Sequence, residues 1–177
     1  MRDLLYLLRD ICQLRRGPQD VPYSPGLLAV ICMATLLLQL SIAWVFDVKG
    51  DALLAGILGL AFNLGLLHLV LTLRGLTTRF VQAACALLGC AIFFTLLVLP
   101  ITLLMGGLQT AAPDHMTPVQ ALLALVALPI VAWKLVVDAH ILRHSLNLPF
   151  FGGLAVALFW VLATYLLAVA LRDPVAA

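Results

Sequence analysis

The sequence predicts an all-α protein, a polytopic bundle of five transmembrane helices preceded by an amphipathic helix. Three observations lead there. Apolar residues make up 64% of the 177 and charged residues only 10%, against roughly 45–50% apolar in soluble domains. Five separate stretches are each about as long as the ~20 residues needed to cross a 30 Å hydrocarbon core. The joints between them are short, which leaves almost no material for a soluble domain.

The N-terminal residues 2–16 read as the amphipathic helix. Leu4, Leu5, Leu7, Leu8, Ile11, Cys12 and Leu14 recur at helical spacing, with Arg2, Asp3, Arg9, Asp10, Arg15 and Arg16 elsewhere on the wheel. Such a helix lies in the headgroup plane, with Arg2, Arg9, Arg15 and Arg16 as candidate membrane-surface contacts, or packs on the end of the bundle. The charges that interrupt its apolar residues argue against a cleavable signal peptide. Pro18, Pro22 and Pro25 then make a stiff connector. The expected organisation is residues 1–25 as cytoplasmic helix and connector, 26–171 as the five-span domain and 172–177 as a short external tail.

The spans are expected at 26–46, 52–73, 80–105, 118–137 and 150–171. Asp51 is placed to cap the second, and Thr77 or Thr78 the third. Thr117 before Pro118 is a cap followed by proline at the first helical position. The third span is long and carries Pro100, so tilting or kinking is expected. Ala55/Gly59, Ala61/Gly65, Cys85/Gly89 and Gly153/Ala157 are small-residue pairs suited to helix contacts. Gln39, Thr95 and Thr102 suit interhelical hydrogen bonds.

Orientation follows from Lys and Arg placement. Arg2, Arg9, Arg15, Arg16, Arg74, Arg79, Lys134 and Arg143 fall on one side, and Lys49 and Arg172 on the other. The excess puts the N-terminus in the cytoplasm and the C-terminus outside. Abundant Leu, Ala and Arg beside only two Lys fits a GC-rich bacterial genome, hence a bacterial inner (plasma) membrane.

Polar groups inside spans are costly and mark candidate sites. Asn63 and His68 lie in the second span. Lys134 and Asp138, four residues apart, share a face of the fourth and can pair. With Arg74 at the inner interface, Asn63, His68, Lys134 and Asp138 form a candidate polar cluster, provided that the second and fourth spans touch. The functional reading is a proton, lipid-headgroup or partner site. The structural reading is a lysine reaching for the interface and neutralised by Asp138.

No cofactor is expected. His68 and His140 differ in depth by about two helical turns, too far apart to share a haem. His140 and His144 alone are too few to hold a metal. No hydrolase motif or phosphate loop occurs. The four cysteines contain no CxxC pair, and a net charge of +2 gives no sign of nucleic-acid binding. The expected partners are the lipid bilayer and, beyond it, other membrane proteins or further copies of the chain.

The layout resembles the Yip (Ypt-interacting protein) membrane domain family, bacterial branch. The resemblance covers roughly residues 20–171. It rests on the prolines before the first span and on five closely spaced spans. Thr77-Thr78-Arg79-Phe80-Val81-Gln82-Ala83-Ala84 opens the third span and Pro100 lies late in it. Trp133 precedes a short polar linker and an apolar fifth span. It implies a non-enzymatic membrane protein with an organising or accessory role. A small transporter or channel-like oligomer, and a lipid-modifying membrane enzyme, are the alternatives that the polar cluster leaves open.

Overall fold

A computed structural model describes residues 2–47, 51–105 and 117–172. Among them are six α-helices: α1 Arg2–Cys12, α2 Pro25–Val45, α3 Ala52–Leu73, α4 Phe80–Leu104, α5 Pro118–Leu146 and α6 Phe150–Arg172. Short 3-10 turns, Pro18–Asp20 and Thr77–Arg79, precede α2 and α4. The last five helices are long and apolar enough to cross a bilayer, as expected of a multi-pass membrane protein. Lys49, the loop at 106–116, the tail at 173–177 and the side chains of Arg2 and Arg172 lie outside the described residues.

Local chemistry sets most helix ends. Ser24 Oγ, Asp51 Oδ1 and Thr117 Oγ1 each accept a hydrogen bond from the backbone N–H three residues on. Thr117 and Gln120 complete a reciprocal capping box. At the other ends, carbonyls left over by the helix are closed by a residue in the left-handed region. Gly75 (φ 67°) ends α3, with Leu76 N–H donating to the Leu71 carbonyl. Asn147 (φ 52°) ends α5 in the same way, with Leu148 donating to Arg143.

Three expectations are corrected here. The amphipathic helix ends at Cys12, short of residue 16, because Leu14 turns left-handed (φ 61°) and Arg15 N–H closes back on the Asp10 carbonyl. The fourth span does not stop at residue 137. Its helix continues to Leu146, 29 residues in all and about 43 Å at ~1.5 Å per residue, with Arg143 and His144 favourably placed in its last turn. Thr77 and Thr78 belong to the 3-10 turn, and α4 starts without a side-chain cap.

Helices α3, α4, α5 and α6 form a ring, with α5 and α6 in the most extensive contact. α2 packs outside the ring on α3 and α4, and α1 lies across α4 and α5. Small residues let these surfaces close. A Cβ at Gly153 would come 2.6 Å from the Ala139 carbonyl oxygen, so α5 and α6 approach backbone to backbone there. A Cβ at Gly89 would come 2.8 Å from Leu8, so α1 seats directly on α4. By contrast, Gly59 and Gly65 meet nothing within 4 Å, and Ala55 and Ala61 are exposed. The small pairs expected to pack α3 face outward instead. Thr102 donates to Leu99 within its own helix rather than across helices.

Candidate functional site

The N-terminal segment is fastened along α4 and α5 by a set of long-range bonds. Leu7, Ile11 and Cys12 are buried in one core cluster with Cys85, Cys90, Phe94, Val137 and Ile141. The Trp133 indole N–H donates to the Cys12 carbonyl at 2.9 Å, which uses an acceptor left free at the end of α1. His140 Nε2 lies 3.1 Å from the Arg16 carbonyl, and Gln82 donates to the Val21 carbonyl at 2.8 Å. Cys12 and Cys90 bring their sulfurs to 3.4 Å as free thiols. The amphipathic helix thus buries its apolar face on the bundle. Arg9 and Arg16 are exposed and both reach Asp10, and Arg15 is exposed as well.

The loops at this end are tied by the same kind of bond. Arg74 donates to the Leu146 carbonyl at 3.2 Å. Arg79 donates to the His144 carbonyl at 3.1 Å and to Asn147 Oδ1 at 2.9 Å. A small polar cavity of about 250 Å³ lies among Pro18, Arg79, Gln82, His144 and Asn147.

A second cavity, about 450 Å³, lies inside the ring of α3, α4, α5 and α6. Its walls are mainly Leu, Ala and Val, with polar groups at two places. On α5, Lys134 Nζ donates to Asp138 Oδ2 at 2.5 Å, the pair expected from their spacing. Their side chains keep 38% and 15% exposure. Across the cavity, the Trp160 indole N–H donates to Asn63 Oδ1 at 2.7 Å and joins α6 to α3. Asn63 in turn donates to the Gly59 carbonyl. Val161 and Tyr165 line the cavity and are exposed, so it opens on the outside of the bundle.

Three of the five candidate cluster residues, Asn63, Lys134 and Asp138, therefore meet at one cavity. The other two do not. α3 and α5 face each other across the cavity and come together at the α1 end, where Leu67 and Leu71 share a buried cluster with Leu142 and Leu146. His68 is exposed on the outer face of α3, edge-on to Phe80 at 5.4 Å, near Tyr23 and Thr77. Arg74 is occupied at the Leu146 carbonyl. Among the described residues no three His, Cys, Asp or Glu side chains are grouped to hold a metal. The sequence reads Trp160 and Tyr165 as belt or packing aromatics and gives Thr164 no role, so it places none of the three in the site. Ala157, Trp160, Thr164 and Ala168 lie on one stripe of α6, and that helical spacing was the available signal.

Chemically, the cavity combines apolar walls with a salt bridge whose hydrogen-bonding capacity is only partly used. An ammonium has three donors and a carboxylate two accepting oxygens. The chain matches no known family model, no curated protein and no solved structure.

Proposed function

We propose that the chain is a non-catalytic, organising or accessory protein of the bacterial inner membrane, with its N-terminus in the cytoplasm and a Yip-like role. The observation that carries this reading is how the polar side chains of the α1 end are used. Arg74, Arg79, Gln82 and Trp133 all bond backbone carbonyls of other elements. They tie segments together and hold a docking end in one shape. The orientation draws support from the gathering of Arg9, Arg15, Arg16, Arg74, Arg79 and Arg143 at that end, as cytoplasmic flanks require.

Affinity purification of the full chain in mild detergent tests the role, with co-purifying molecules identified by mass spectrometry. A stoichiometric membrane-protein partner is expected, and its absence across several mild detergents counts against the reading. An impermeant maleimide tests the orientation. A cysteine introduced at Gln109 should react from outside, and one at Gly75 should not.

The second reading, a small transporter or lipid-modifying enzyme, is favoured by one observation, the Lys134–Asp138 pair facing a cavity that opens outward. Lys134→Met that abolishes an activity at normal abundance would support it. Loss of abundance alone would mark the pair as structural.

A further inference from the structure

We infer that the cavity inside the α3–α6 ring binds one zwitterionic phospholipid with an ethanolamine headgroup. The phosphate would lie at Lys134, the ammonium at Asp138, and one acyl chain would run along the cavity. This does not depend on the organising role.

The order of groups along α5 carries the argument. Asp138 lies four residues, about 6 Å, closer to the α1 end than Lys134. Beyond Lys134, away from that end, the lining is mainly apolar, with Val131 on α5 and Val161 and Ala168 on α6; the Thr164 hydroxyl is occupied at the Trp160 carbonyl, and Tyr165 lies exposed at the mouth. From the interface toward the bilayer centre the protein thus presents anion, cation and apolar groove. A phospholipid of the adjoining leaflet with an ethanolamine headgroup presents ammonium, phosphate and acyl chain in the same direction. The two sequences are complementary at each step.

The pair also has capacity to spare. Among the described residues, Lys134 uses one of its three donors, and Asp138 accepts only that bond. A charged pair in apolar surroundings is weakly stabilising unless its remaining hydrogen bonds are satisfied. A phosphate oxygen on Lys134 and an N–H donor on Asp138 would satisfy them, and the lipid's ionic groups would be matched one to one. A choline headgroup has no N–H to give Asp138. A glycerol headgroup has no cation.

The exit is also in place. Val161 and Tyr165 are exposed at the cavity mouth, so a chain can enter sideways from the bilayer without disturbing the tightly packed crossing at Gly153.

The test is native mass spectrometry of the full chain titrated in mild detergent with phosphatidylethanolamine, phosphatidylcholine and phosphatidylglycerol of identical acyl chains. One phosphatidylethanolamine per chain is expected, bound roughly tenfold tighter than either of the others, the scale of one charge-assisted hydrogen bond. The decisive variant exchanges the pair, Lys134→Asp with Asp138→Lys. It keeps an i,i+4 salt bridge in its better sense and the net charge, but reverses the order that the headgroup meets. It should keep the thermal midpoint and lose the preference. If the exchange does not accumulate, Val161→Trp at the exposed mouth should narrow the entrance and lower phosphatidylethanolamine binding by a similar factor. Equal binding of the three lipids overturns the inference, as does a preference that survives the exchange or phosphatidylethanolamine binding undiminished by Val161→Trp.

Discussion

The two ends of this bundle are built differently. At the α1 end, α4 buries Ala83, Ala84, Cys85, Ala86, Leu88, Gly89 and Cys90, and α5 buries Val137 and Ala139 through Leu142. At the opposite end, α5 exposes Leu122, Leu125, Val126 and Leu128, and α6 exposes Leu166 and Val169. All five spans are apolar overall, but most of the residues that α4 buries at the α1 end are small. In lipid there is no hydrophobic force between helices, so small residues that permit dense contact favour closure; they let Leu67, Leu71, Leu142 and Leu146 be buried at the same end, whereas Leu-rich faces without them are as content against acyl chains. The α1 end is a packed, cross-tied platform, and the far end is a splayed set of lipid-facing helices.

The sharpest way to break that contrast is at Gly153. Leucine there would drive its Cβ into the Ala139 carbonyl oxygen and the Arg143 Cβ, at 2.6 and 2.7 Å. Neither the backbone nor a Cβ can swing aside as the end of a side chain can. We expect a loss of about 4 kcal/mol, the exceptional end of the range for single substitutions. It would be seen as failure to accumulate, or as a collapse of the thermal midpoint in detergent. Normal accumulation of Gly153→Leu would mean that α5 and α6 do not cross there.

The next effect concerns what makes the α1 end a platform. Ile11 is fully buried between α1, α4 and α5. Ile11→Ala should cost about 3 kcal/mol, the usual scale for emptying a packed apolar site. The loss falls mainly on the seating of α1. Cys12, buried at 2% exposure beside Cys90, should then react with a small maleimide well below the global unfolding temperature, whereas in the native chain the two should coincide. Unchanged Cys12 reactivity would show that α1 is held by the bonds of Trp133 and His140 alone.

These two sites also mark how far the sequence could be read. The spans were legible because length and hydropathy are local properties, and the caps at Asp51 and Thr117 because a side-chain oxygen three residues before a helix N–H is local chemistry. The pairing of Lys134 with Asp138 is likewise a consequence of helix spacing. What required the structure was lateral order around the ring. The placement of α6 beside α3 gives Asn63 to Trp160 and leaves His68 facing outward. Apolar spans show almost no preferred face, so nothing in the pattern of α3 says which side is inside. The end of α1 escaped for another reason, because a leucine in left-handed conformation has no sequence signal comparable to Gly75.

The smallest effect should have the opposite sign. Ala61/Gly65 has the same small-residue spacing as Gly153/Ala157, yet Gly65 is exposed and a Cβ there meets nothing within 4 Å. Gly65→Ala therefore introduces no clash and removes a flexible residue from the middle of α3. It should raise stability by about 0.5–1 kcal/mol, read as a small upward shift of the thermal midpoint in detergent. Gly59→Ala would be less clean, because the Gly59 carbonyl accepts the Asn63 side chain. If Gly65→Ala lowers the midpoint instead, the outward face of α3 is covered by something other than lipid. A second copy of the chain is then the first thing to look for, by measuring whether the wild-type mass in detergent falls in the variant. A higher midpoint at unchanged mass assigns that face to the bilayer and confines close helix packing to the α1 end.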